Sequence, residues 1–175
     1  MPHTEKITGE LQALMSGVER TQSLAEVTAH QAQEVALRAA GAGFASVAAG
    51  MLRVREAVAA FQSGLGGLAA AIGDATRATA AVPEGTSPQE ATAGLRLVQN
   101  AIDAVRERVA GLVSQVDGVR QLVVTVLQGG QPGPLLQTLG NIKETLALIA
   151  QRSDTARQSV DTAIAEAGQL GAPGN

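Results

Sequence analysis

The chain has 175 residues, 45% of them hydrophobic, yet it contains no Cys, no Trp, no Tyr and only two Phe. Its apolar content is therefore almost all Ala, Val, Leu and Ile, which excludes disulfides, thiol chemistry and thiolate zinc sites and leaves no aromatic platform for stacking nucleobases. The formal net charge is −3, and neither half carries a basic field (six basic and seven acidic residues over 1–82, seven and nine over 83–175), so nucleic acid is not an expected partner.

The N-terminus, Met1-Pro2-His3-Thr4-Glu5-Lys6, lacks a basic region followed by an apolar one, so no secretory signal is expected. The longest uncharged helical run, Ala57–Gly73, is interrupted by Gly64, Gly66 and Gly67 and falls short of the roughly 18 apolar residues of a spanning helix. These features predict no transmembrane segment and a cytoplasmic location by default, with signal-less export by a specialised machine left open.

The first predicted helix runs over 5–40. Ile7, Leu11, Leu14 and Val18 begin a 3,4-spaced stripe, which continues through Thr21, Ala25, Thr28 and Ala32 to Val35. An Ala in place of a Leu forgoes about 2 kcal/mol of burial, so this helix is expected to be the least firmly held beyond its first turns. Gly41-Ala42-Gly43 ends it and breaks the heptad phase. A mere kink there would instead leave one long dimerising helix.

The second predicted helix, 44–80, has its stripe at Phe44, Val47, Met51, Val54, Val58, Phe61, Leu65, Leu68 and Ile72. Pro83-Glu84-Gly85-Thr86 follows. Ser87-Pro88-Gln89-Glu90 then forms a capping box, with Ser87 as N-cap, Pro88 at N1 and Glu90 at N3. The third helix, 88–128, carries Leu95, Val98, Ile102, Val105, Val109, Leu112, Val116, Val119, Val123 and Val126. Gly129-Gly130-Gln131-Pro132-Gly133-Pro134 separates it from the fourth, with Gly129 a C′ candidate and Pro134 at N1.

The fourth helix, 134–171, reads Leu135, Leu139, Ile142, Leu146, Ile149, Ser153, Ala156, Val160, Ala163, Ala167 and Leu170. Gly171-Ala172-Pro173-Gly174 ends it. Val54-Arg55-Glu56-Ala57-Val58-Ala59 matches Val105-Arg106-Glu107-Arg108-Val109-Ala110 at an offset of 51, and the whole second stripe maps onto the third at that offset. Duplication and convergence on one heptad pattern both account for it.

Four helices of matched length, each roughly 54–62 Å, with short connections predict an all-α, elongated, antiparallel up-down-up-down four-helix bundle with coiled-coil-like heptad packing. One domain over 1–175 is expected, built from hairpins 5–80 and 88–171 and a linker at 81–87.

Catalytic chemistry has little to hold. His30 has Glu26 and Glu34 four residues away on either side, which could ligate a metal, but the three flank the seam and no Glu-x-x-His pairs accompany them. They read as a solvated charged face. The glycines of Gly64-Leu65-Gly66-Gly67 and of 129–133 are not phosphate loops, because no strand precedes them and no Lys-Ser/Thr follows. Asp103/Arg106, Asp117/Arg120, Asp154/Arg157 and Arg157/Asp161 have helical pair spacing and read as surface support within each helix. No catalytic residue, metal ligand, cofactor or small-molecule substrate is expected, and the chain is expected not to be an enzyme.

One feature is more specific. In an up-down-up-down bundle the first and third connections lie at the same end. Ala39–Leu52 around the first and Gln121–Ile142 around the third carry no charge. The opposite end holds Glu5, Lys6, Asp74, Arg77, Glu84, Glu90 and Glu166. Apolar residues off the seam, with Phe44 at the start of the second helix, make Phe44, Leu52, Leu122, Val124, Leu127 and Leu136 the candidate contacts to a protein partner or a second copy.

Residues 1–82 resemble the small helical hairpins with a Trp-X-Gly turn that type VII machines export. Phe44-Ala45-Ser46 occupies the motif position but has neither its Trp nor its Gly, and without Tyr there is no Tyr-x-x-x-Asp/Glu export signal. Over its full length the chain resembles an uncharacterised actinobacterial family of Ala-rich helical proteins. The strings Val54-Arg55-Glu56-Ala57, Ser87-Pro88-Gln89-Glu90 and Leu127-Gln128-Gly129-Gly130-Gln131-Pro132-Gly133-Pro134 carry that resemblance. It implies no activity, but an accessory role as adaptor, chaperone or targeting partner of an exported effector. The alternative expectation is an amphipathic coat of lipid or polymer granules, as in phasins, against which the narrow seams argue.

Overall fold

The computed structural model describes residues 2–83, 85, 87–128, 130 and 133–171. Expectations at Glu84, Thr86, Gly129, Gln131, Pro132 and beyond Gly171 lie outside them. The helices are α1 (Pro2–Gly41), α2 (Ala45–Ala80), α3 (Pro88–Val126) and α4 (Gly133–Leu170). Each helix packs on the next, and α1 closes on α4, while among the described residues the diagonal helix pairs make no such close backbone approach. The result is an all-α four-helix bundle with one apolar core running through all four helices. No described helix is long and apolar enough to cross a membrane.

Gly41–Gly43 is a turn and not a kink. The Phe44 N–H donates to the Ala39 carbonyl (2.8 Å) and the Gly43 N–H to the Ala40 carbonyl (3.1 Å), closing the end of α1. Gly43 sits at φ +82°, a conformation that costs glycine nothing. The capping box at α3 forms as expected: the Glu90 N–H donates to Ser87 Oγ (3.3 Å), and the Ser87 N–H donates to Glu90 Oε2 (3.2 Å). α4 begins one residue early, at Gly133 (φ +35°), so Pro134 is its second residue.

Cross-helix pairs fix the register. Arg152 reaches Glu10 and Gly17 faces Ile149 between α1 and α4. Gly50 faces Val126 and Gly64 faces Leu112 between α2 and α3. Lys143 meets Asp117 and Arg106 meets Asp154 between α3 and α4. At Gly50 the Val126 side chain packs so close to the α2 backbone that a Cβ would lie 2.5 Å from one of its methyls, so only glycine fits without displacement.

This register stacks the seams in layers, and the layers explain the small residues of α1. Thr21, Ala25, Thr28 and Ala32 are fully buried, at the levels where α4 supplies Leu146, Ile142, Leu139 and Leu135. Toward the other end α1 supplies Ile7, Leu11 and Leu14, and α4 supplies Val160, Ala156 and Ser153. Large residues on one helix face small ones on its neighbour, which keeps packing dense at near-constant helix spacing. The small stripe of α1 is thus a fully buried seam set against the large residues of α4.

Buried hydroxyls are satisfied locally: Thr21 Oγ1 donates to the Gly17 carbonyl and Thr28 Oγ1 to that of Leu24, both at 2.8 Å.

Five seam residues lie outside the deep core: Val35, Phe44, Val47, Leu170 and Val126, the last only partly buried at the end of α3. Val35 is only partly buried, and Ala36 takes the core position, because the stripe steps by four from Ala32. Phe44 precedes the first turn of α2 and lies mostly outside the core, while Val47 is half-buried; the deep core of α2 starts at Gly50 and Met51. Leu170, in the last turn of α4, is exposed. His3 lies within α1, and its Nε2 is 2.7 Å from Glu166 of α4.

Candidate functional site at the uncharged end

The α1–α2 turn and the α3–α4 connection lie at one end of the bundle, as the register requires. Phe44 is the N-cap of α2 and offers no side-chain hydrogen bond to its first turn. Its ring is 63% exposed. Leu127 is the C-cap of α3, its N–H donating to the Val123 carbonyl and its own carbonyl accepting from Gly130 (2.8 Å).

The six expected contact residues separate into two groups. Phe44, Leu52 and Val124 are exposed, with Leu52 and Val124 at about half their surface. Leu122, Leu127 and Leu136 are half-buried and pack against the core. The Gly50–Val126 approach puts Leu52 and Val124 at one level on neighbouring helices. Phe44 and Leu127 meet elsewhere, on the flank between α1 and α4. There a groove of about 580 Å³ is lined by Gln31, Glu34, Val35, Arg38, Ala39, Ala42, Phe44, Leu127, Pro134 and Leu135.

The groove brings in residues that the sequence did not single out. Gln31, Glu34 and Arg38 of α1 line it, and Leu37, beside Arg38 but outside the lining, is 63% exposed. Val35 lines the groove because Ala36 occupies the core in its place. The one available signal was the run Ala32, Ala36, Ala39, whose spacing shifts the stripe away from Val35.

Apart from Glu34 and Arg38 on the groove, the ion pairs of α3 and α4 lie away from this end. Between α3 and α4, Lys143 meets Asp117 (2.7 Å), Arg106 meets Asp154 (2.7 Å) and Asp103 (3.5 Å), and Arg157 meets Asp103 (2.8 Å) and Asp161. Gln99 donates to Asp161 (2.8 Å). Asp117 and Asp154 thus face the neighbouring helix, where pairing within each helix was expected, because their positions flank the seam. Asp103/Arg106 and Arg157/Asp161 do pair within a helix. Desolvation lowers the Arg157 pKa, but hydrogen bonds to Asp103 and Asp161 and their negative charge outweigh it, so the guanidinium titrates above its ordinary range.

Among the described residues each histidine pairs with a glutamate and with no hydroxyl. His30 is exposed and 3.7 Å from Glu34. Around His3 a polar hollow includes Thr155, Ser159 and Thr162, but each hydroxyl donates to the carbonyl four residues earlier in α4. Among the described residues no group of three or more His, Cys, Asp or Glu could hold a metal.

No curated protein matches the chain. Residues 86–172 match the model of a family of unknown function, DUF6244, and that stretch spans α3 and α4 with the ionic ladder between them: the second hairpin is a domain of that family.

Proposed function

We propose that this chain is a non-enzymatic helical adaptor that docks a protein partner through the uncharged end. The observation that carries this reading is one end of the bundle where Phe44, Leu52 and Val124 are exposed on stretches without charge, between Arg38 and Arg53 and between Arg120 and Lys143, with Phe44 on the rim of a groove that Val35, Leu127 and Leu135 line together with Glu34 and Arg38. Other exposed large apolar residues, such as Leu97 and Leu148, sit singly on outer helix faces, which is ordinary for a protein surface. The resemblance of the first hairpin to exported helical hairpins supports an accessory role beside an exported protein.

The double substitution Phe44→Glu with Leu52→Glu tests the reading. Both side chains are exposed, so helicity by circular dichroism should stay unchanged. Affinity capture from the native host should lose the proteins that the unaltered chain retains. Equal capture by both forms would contradict docking at this end.

A further inference from the structure

We propose that the occupant of this end is a second copy of the chain, with the C-terminal turns of the two α1 helices crossing antiparallel about a two-fold axis. The proposal rests on the reading that the uncharged end is the docking surface, and it names the partner.

The first argument is charge. Glu34 and Arg38 lie one turn apart on α1, both lining the groove and both on the exposed side that carries Leu37. Arg38 has no carboxylate partner among the described residues, and the ion pair of Glu34 is with His30 at 3.7 Å. A two-fold contact repeats every interaction in both directions. An antiparallel crossing centred between positions 34 and 38 therefore sets each Arg38 against the other copy's Glu34 and forms two ion pairs at once. A parallel crossing would set Glu34 against Glu34 and Arg38 against Arg38. Beyond this pair, Ala39–Leu52 and Gln121–Ile142 carry no charge. A chain of net charge −3 can approach its copy there without like charges meeting.

The second argument is shape. The groove of about 580 Å³ has Val35, Leu127 and Leu135 on its walls, and the aromatic at its rim, Phe44, is 63% exposed in the single chain. The same crossing lays each Phe44 beside the other copy's groove, where an aromatic ring can bury on the order of 150–250 Å². Leu37, one residue from the centre of the crossing, is set against Val35 of the other copy.

Analytical ultracentrifugation of the full chain across a wide concentration range tests this, with Glu34→Arg, Arg38→Glu and their equimolar mixture. The unaltered chain should reach twice the monomer mass. Each single reversal makes all facing charges alike and should weaken association by ~10-fold or more. The mixture should restore a dimer holding one of each variant, since both facing pairs are then opposite in sign. Both residues are exposed, and circular dichroism checks that the variants fold.

Single variants that associate as tightly as the unaltered chain, or a mixture that stays monomeric, would overturn the crossing. A chain that stays monomeric throughout would overturn self-association. In that case, continued loss of captured proteins by the Phe44→Glu, Leu52→Glu form would leave the docking reading standing with a different partner.

Discussion

Phe61→Ala should lower the stability of the bundle by about 3–5 kcal/mol, the usual cost of truncating a buried aromatic. Phe61 is 2% exposed in the middle of α2. The register places it level with Ala25 of α1, Val116 of α3 and Ile142 of α4. Ala25 is fully buried in the same core cluster and is too small to fill a space the ring would vacate. With the ring gone, Ala25 cannot reach across, and the neighbouring layers are held by Thr21 and Thr28 on one side and large aliphatics on the others. A domain of this size is stable by only about 5–15 kcal/mol, so the loss is a large share. Urea unfolding should show a lower midpoint with an unchanged slope. A loss below about 1 kcal/mol would mean that this layer collapses freely, contrary to the packing described.

The pairing of small and large residues between α1 and α4 has a sharper consequence in the same layer. Ile142→Ala alone should cost about 2–5 kcal/mol by leaving a cavity, and Ala25→Ile alone about 1–3 kcal/mol by overpacking. Together they exchange volume across the α1–α4 contact while conserving the total. The double variant should therefore be more stable than the sum of the single losses by about 1–3 kcal/mol, the coupling expected of residues that share a space. Additivity within about 0.5 kcal/mol would show that the two positions do not share one layer.

This complementarity also marks where one sequence read helix by helix stops being informative. The stripe of α3 from Leu95 to Val123 could be read directly, because every step of three or four lands on a large aliphatic and all of them are buried. The stripe of α1 was legible in position but not in what lies opposite it. Thr21, Ala25, Thr28 and Ala32 bury little area themselves, and only the antiparallel register shows that Leu146, Ile142, Leu139 and Leu135 lie opposite. Phe44 has the phase of the α2 stripe but lies before its first helical residue, so extrapolated periodicity put it in the core. The ionic residues of α3 and α4 were legible as flanking positions. That Asp117 reaches Lys143 and Asp154 reaches Arg106 depends on the neighbouring helix.

The candidate site followed the same division. Its lack of charge is written in Ala39–Leu52 and Gln121–Ile142. Which side chains face outward depends on packing: Phe44, Leu52 and Val124 do, whereas Leu122, Leu127 and Leu136 partly spend their surface on the core. The groove needed more, since it exists where α1 turns Ala36 inward and leaves Val35 at the edge. The second hairpin carries the family match and the ionic ladder, while the groove joins residues of α1 and Phe44 to residues at the α3–α4 connection. The proposed contact surface thus needs both hairpins.

Site-specific photocrosslinking in the native host tests the central claim most directly. A photoreactive side chain at position 37, 44 or 52 reports on the uncharged end, and one at position 89 or 170 on the opposite end. The account predicts covalent adducts from 37, 44 and 52, with little from 89 or 170, and mass spectrometry of the adduct distinguishes a second copy from another protein. Adducts formed equally from both ends, or only from 89 and 170, would contradict it.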